Sequence, residues 1–146
     1  MSEDVLARIV VLDTNVVSEL MRPTPAAAVL SWVEDLAPPK VHTTSVTLAE
    51  VRFGIARLPV GRRRATLMNA ADDVFGAFTD RILPFDGQPA EHYADIVVEC
   101  EQRGMPISGF DAQIAAICRT HRAVLATRNI SDFELLGLDL VDPWAA

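Results

Sequence analysis

Ile9-Val10-Val11-Leu12 is an unbroken apolar run in which three of four residues are β-branched and no polar position alternates with them. A run of that kind reads as a strand buried on both faces, as strands are in a parallel sheet covered by helices on either side. Asp13 falls at the carboxyl end of this strand, and Thr14, Asn15 and Ser18 open a helix. In open α/β sheets the carboxyl edge is where ligands bind. An acid at that place serves catalysis, holds a metal or caps the following helix. Asp13 alone does not choose between these uses.

The rest of the chain alternates between the same two kinds of segment. Helical runs are expected at 14–21 and 26–36, set apart by Pro23 and Pro25, and Pro38-Pro39 breaks the chain before a second strand at 41–44. The spacing of Leu48, Val51, Ile55 and Leu58 predicts an amphipathic helix over 46–58. A longer helix over 63–79, a strand at 81–85, helices over 90–103 and 108–121, and a strand at 123–127 follow. A short helix near 131–136 and a strand at 138–141 close the pattern. Strands separated by helices imply right-handed crossovers. The expected fold is a three-layer α/β domain with a mainly parallel central sheet flanked by helices. No repeat or linker divides residues 1–146, so a single domain is expected.

The 146 residues are 50% hydrophobic, enough for a substantial core. No apolar stretch approaches the roughly 20 residues that span a bilayer. Glu3 and Asp4 stand where an export signal carries positive charge. Cys100 and Cys118 lie singly within helical patterns, without metal-ligand spacing, and read as structural thiols of a reduced, cytoplasmic protein. A net charge of −7 opposes any broad nonspecific grip on nucleic acid. The basic residues are nevertheless concentrated: Arg57, Arg62, Arg63 and Arg64 form one short cluster. It is either a solvated loop and helix start or a cationic patch for phosphate or an acidic peptide.

Four acids besides Asp13 follow strands or open helices: Glu50, Asp86, Asp111 and Asp132. Thr47 with Glu50, and Ser108 with Asp111, have the spacing of a capping box. Asp86 reads as a helix cap. Two details go beyond capping. Asp111 shares a helix face with Ile114, Ala115 and Cys118, so it points toward packed structure, where a bare carboxylate is costly. Glu50 shares a face with Gly54, where a missing side chain permits another element to approach closely. If Asp13, Glu50 and Asp111 converge, their repulsion raises at least one pKa, and a divalent cation removes the conflict. Oxygen ligands without His or Cys favour Mg²⁺ or Mn²⁺ over zinc. Such a site suits metal-assisted phosphoryl chemistry. Past the fourth strand, Thr127 and Asn129 are placed to orient water or phosphate, and Asp132 to act through water.

These segments together resemble the PIN-domain ribonucleases, and within them the VapC-type toxins of type II toxin–antitoxin pairs, nearest the FitB-like branch. The resemblance rests on residues 11–15 with Ser18-Glu19, on 48–54, on Ile82-Leu83-Pro84-Phe85-Asp86, on 111–116, and on Ala126-Thr127-Arg128-Asn129 with Asp132-Phe133. It implies a Mg²⁺-dependent endoribonuclease that is inactive while bound by a VapB-like antitoxin, and a homodimer. By the resemblance, Asp13 and Asp111 are direct metal ligands, and Glu50 is a ligand or orients the attacking water. Thr14, Asn15 and Thr127 support them. Asn129 stands where many relatives carry a fourth aspartate, with Asp132 nearby as an alternative. The resemblance also assigns Arg57, Arg62, Arg63 and Arg64 to antitoxin acids or RNA phosphates.

Two other α/β enzymes fit poorly. A haloacid-dehalogenase-type phosphatase needs a second aspartate where Asn15 stands, and a receiver domain needs a lysine at a strand's carboxyl end, whereas Lys40 precedes its strand. No nucleophile–His–acid arrangement includes His42, His92 or His121. The remaining alternative is a PIN-like module that binds RNA or protein without cleaving it, in which Glu50 and Asp111 serve only as caps.

Overall fold

The computed structural model describes residues 7–146, so Glu3 and Asp4 lie outside the described residues. The elements run β1 (Val10–Leu12), α1 (Thr14–Leu20), α2 (Ala27–Glu34), β2 (Val41–Thr44), α3 (Ser45–Ala56) and α4 (Arg62–Gly76). They continue β3 (Ile82–Leu83), α5 (Gly87–Gln102), α6 (Gly109–His121), β4 (Val124–Ala126), α7 (Ile130–Phe133) and β5 (Leu140–Val141). All five strands are parallel, in the order β3-β2-β1-β4-β5. β1 is central, pairing Val10 with Val41 on one side and with Val124 on the other.

Strand pleating explains why the first apolar run cannot alternate. Val11 and Leu125 face a core shared with Ile96 and Cys100 of α5 and with Ile114 and Ile117 of α6. Val10, Leu12, Val124 and Ala126 face the opposite core, built with Val16 and Val17 of α1, Val51 and Ile55 of α3, and Phe75 of α4. Both faces of the sheet are covered, giving the three-layer α/β arrangement. Each fully buried Val or Leu in such a layer contributes about 1.5–3 kcal/mol relative to exposure.

Chain order in the sheet reverses at β1. From it, the first half of the chain builds outward through β2 and β3, and the second half returns through β4 and β5. The carboxyl ends of β1 and β4 therefore bound a crevice of the kind that holds ligands in open parallel sheets.

Several boundaries differ from the sequence reading for identifiable reasons. β3 covers only Ile82–Leu83 instead of 81–85 because Pro84 has no N–H to continue the ladder. α5 starts at Gly87, ahead of the expected residue 90, because Pro89 is tolerated in a first helical turn. Asp86 occupies the cap position of α5, but its side chain makes no capping bond and its backbone carbonyl accepts from Ala90 N at 3.0 Å. Gly54 is not a point of close approach: no atom lies within 4 Å of where its Cβ would stand. It faces an open groove. Cys100 and Cys118 are buried, free thiols, and burial pushes the Cys118 thiol well up. Trp32 and Trp144 both pack against the core on the α1–α4 side.

Candidate metal centre at the carboxyl edge of the sheet

Asp13 is 3% exposed and is the N-cap of α1. Its Oδ1 accepts from Thr14 N at 2.8 Å, and its Oδ2 accepts from Thr127 Oγ1 at 2.8 Å. Capping and pairing across the crevice thus use different oxygens of one carboxylate. Asn15 Nδ2 reaches Asp13 Oδ2 at 3.4 Å and Thr127 Oγ1 at 3.3 Å, and Asn15 Oδ1 accepts from Arg128 N at 3.1 Å. The result is a closed polar network tying the end of β1 to the end of β4. Despite these donors, burial holds the Asp13 pKa above its ordinary value, and the charges of Glu50 and Asp132 add to the rise.

Glu50 approaches from α3. The cap of that helix is Thr44, whose Oγ1 accepts from Thr47 N at 3.0 Å. Thr47 and Glu50 are therefore not a capping box: the helix begins a turn earlier, and Glu50 lies too far along it to serve its N-terminus. Instead Glu50 Oε1 accepts from Thr14 Oγ1 at 2.8 Å, and Thr14 Oγ1 lies 3.1 Å from Thr47 Oγ1. Burial, and then the charge of Asp111, raise its pKa.

Asp111 does sit in a capped first turn, its backbone N donating to Ser108 Oγ at 3.1 Å. Burial and the charge of Asp13 push its carboxyl up against the hydrogen bond from Ser108. Three carboxylates are thus raised together. Burial and mutual repulsion are the causes they share.

The fourth position divides in two. Asn129 is exposed, and its backbone N donates to Thr127 Oγ1 at 3.0 Å while its side chain caps nothing. Asp132 lies in the first turn of α7, and its charge raises both Asp13 and Asp111. Asp132 thus acts on the acids through its charge, and Asn129 is tied to Thr127 through its backbone N–H.

Two depressions flank the acids. One, of about 410 Å³, runs between α1, α3 and α4 and is lined by Thr14, Glu50, Gly54, Leu58, Arg63 and Leu67 among others. The other, of about 330 Å³, includes Ser108, Asp111, Ser131 and Asp132. Of the arginine cluster, Arg63 alone lines the first groove. Arg57 stacks on Phe53 with its guanidinium carbon 5.3 Å from the ring centre. Arg62, Arg63 and Arg64 all occupy the first turn of α4, which has no acidic residue to offset them. Cations there oppose the helix dipole.

A model of the PIN domain family matches residues 10–135. The chain belongs to the PIN domain family. Over 136 residues it is 40% identical to the VapC ribonuclease Y4jK of Sinorhizobium fredii, covering 92% of this chain and 97% of that one. It is 35% identical to the toxin FitB of Neisseria gonorrhoeae, covering 92% and 98% respectively. Among solved structures, FitAB bound to an IR36 DNA fragment superposes with a TM-score of 0.85 at 34% identity, covering 93% of this chain and 96% of that one.

Within this PIN domain the donor chemistry suits a hard divalent cation: carboxylate oxygens whose pKa values are raised by burial and by one another. Among the described residues no three acidic, His or Cys side chains already stand close enough to grip one ion. Two charged residues within the motifs quoted above had no role assigned to them. Glu19, 7% exposed, accepts from Ala26 N at 2.8 Å, a bond that lowers its pKa and joins α1 to α2. Arg128 follows Thr127 directly, and its place after a strand's carboxyl end was the available signal.

Proposed function

We propose that this chain is a divalent-metal-dependent endoribonuclease toxin that hydrolyses RNA phosphodiester bonds and is silenced by a VapB-like antitoxin. The observation that carries the reading is the trio Asp13, Glu50 and Asp111, raised together at the carboxyl edge of the parallel sheet. Their relatives named as ribonuclease and toxin agree with it. No helix among the described residues is long and apolar enough to cross a membrane. We place the protein in the cytoplasm, acting as a single domain over residues 1–146 and as a homodimer.

Asp13 and Asp111 would hold the cation, with Glu50 beside them. Mg²⁺ is the ion best matched to an all-oxygen donor set, with Mn²⁺ as a substitute. When bound it supplies neutralisation of the scissile phosphate and a water of lowered pKa. The chain supplies the alignment. Thr127 and Thr14 hold Asp13 by opposite oxygens, so its carboxylate cannot rotate freely. Thr14 Oγ1 engages Glu50 Oε1, leaving Oε2 to accept a proton from the attacking water. Asn15 and Thr127 keep the two strand ends in register. Asp132 adds the fourth carboxylate and Asn129 a neutral amide at the rim. The groove between α1, α3 and α4 receives the antitoxin segment. Its apolar wall and Arg63 suit an amphipathic peptide carrying acids, and Arg57, Arg62 and Arg64 extend that positive edge.

The test compares RNA cleavage by purified wild type and Asp111→Asn in Mg²⁺. Asparagine preserves size and the Ser108 cap while removing the charge. Cleavage by wild type alone, abolished by EDTA, is expected. Equal cleavage by both proteins would locate the activity elsewhere.

A further inference from the structure

An acidic centre that must receive a polyanion needs a cation placed beside it but not consumed by it. Arg128 has that placement. Its backbone N donates to Asn15 Oδ1 at 3.1 Å, within the same network that holds Asp13. Its guanidinium carbon lies 4.7 Å from the centre of the Trp144 ring. Trp144 is itself fixed, with its backbone N bonded to Asp142 Oδ1 at 2.9 Å and its side chain packed on the core. Among the described residues, the Arg128 guanidinium donates no hydrogen bond and makes no ion pair at contact distance. Stacking uses the flat face of a guanidinium and leaves the N–H groups at its edge free, in the fork that matches a phosphate.

Three other arginines are already engaged, and Arg57, which also stacks on a ring, does so on Phe53 of α3, away from the end of β4. Arg52 is paired with Asp72 at 2.8 Å, Arg119 donates to Leu136 O at 2.7 Å, and Arg81 bonds Val41 O at 2.6 Å. Arg62 and Arg63 are exposed, but they stand on α4, across the groove assigned above to the antitoxin. Arg128 is the cation that the chain delivers to the end of β4, one residue beyond the hydroxyl that holds Asp13.

We propose that Arg128, pre-positioned on the Trp144 ring, grips an RNA phosphate flanking the scissile bond. The proposal rests on the nuclease reading and adds to it a substrate-binding residue and the platform that positions it. A lone exposed arginine pays rotamer entropy when it binds; one already stacked has less to lose.

The experiment measures binding of a short labelled single-stranded RNA across a salt series, with cleavage suppressed by Asp111→Asn in every protein. Onto that background are placed Arg128→Ala, Arg128→Lys, Trp144→Phe, Trp144→Leu and the double variant Arg128→Ala with Trp144→Leu. Arg128→Ala should weaken binding about tenfold, the scale of one charge-assisted contact, and flatten the log Kd against log salt slope by about 0.7. Arg128→Lys should keep the slope and lose part of the affinity. Trp144→Leu should cost about two- to fivefold, Trp144→Phe should restore it, and the double variant should be no weaker than Arg128→Ala alone. In the cleaving protein, Arg128→Ala should raise KM more than it lowers kcat.

An unchanged salt slope in Arg128→Ala, or a drop in melting temperature with RNA affinity intact, would overturn the proposal and leave Arg128 a structural stack. RNA binding with no difference among variants, in a protein whose wild type cleaves, refutes Arg128 alone. No RNA binding by any of them refutes the nuclease reading and this residue with it.

Discussion

Thr127→Val is the sharpest perturbation of the site, because it removes one hydroxyl and almost no volume. Thr127 is 0% exposed. Its Oγ1 donates to Asp13 Oδ2 at 2.8 Å and accepts from Asn129 N at 3.0 Å and Asn15 Nδ2 at 3.3 Å. The first is a charge-assisted bond to a buried carboxylate, worth about 1.5–3 kcal/mol. The other two donors lie nearer the surface and recover part of their loss from water. A cost of about 2–3 kcal/mol follows. At about 3 °C per kcal/mol for a domain of this size, the melting temperature falls by roughly 6–9 °C.

The pH dependence identifies the cause. Burial already raises Asp13 above its ordinary 3.8, and loss of the Thr127 bond, which lowers it, moves it further up. Between 3.8 and the raised value the folded protein binds more protons than the unfolded chain. Stability therefore falls as pH rises through that window and is lowest above it. The Thr127→Val penalty should accordingly be full near neutral pH and shrink at acidic pH, as Asp13 takes up a proton. Thermal melts in EDTA at both pH values, with Thr127→Ser as the control that keeps the hydroxyl, provide the measurement. A penalty below about 0.5 kcal/mol, or one equal at both pH values, refutes the argument that a charged Asp13 is held by this hydroxyl.

Glu50→Gln should abolish cleavage yet raise the metal-free melting temperature by about 2–4 °C, because it removes a carboxylate that burial and Asp111 both disfavour while keeping an acceptor for Thr14. That gain should fade on acidification, as Glu50 itself becomes neutral; melts in EDTA on either side of its raised pKa check it. Gly54→Ala should stabilise by about 0.5–1 kcal/mol, since a helix interior favours alanine and nothing stands within 4 Å of the new Cβ. A lower melting temperature for Gly54→Ala would show that the groove wall closes on that residue.

Much of the architecture was legible because it follows from local chemistry. An apolar run without alternation has to be buried on both faces, and Val10, Val11 and Leu12 are. Ser108 three residues before Asp111 reads correctly as a cap. Thr44 and Thr47 show the limit: both hydroxyls precede Glu50, and only the packed helix decides that Thr44 is the cap. Gly54 shows another, for a missing side chain signals open space as readily as close contact. The contacts of Arg128 with Asn15 and Trp144 join residues on different elements, and no spacing rule along the chain encodes them. Asp132 and Asn129 were inseparable by position alone: Asn129 meets Thr127 through its backbone N–H, while the charge of Asp132 reaches Asp13 and Asp111.

The hydrogen bond between Thr127 and Asp13 spans 114 residues of chain. On a ribosome, Asp13 is therefore made long before the strand that completes its setting. At about 5–20 residues per second, the interval is roughly 6–23 s. The groove lined by Thr14, Glu50, Arg63 and Leu67 belongs wholly to the earlier half, whereas Asp111 and Thr127 belong to the later one. The residues that line the groove are thus all made before the acidic site can be complete. From Leu67, the last residue of that groove, to Thr127 the interval is roughly 3–12 s at the same rate.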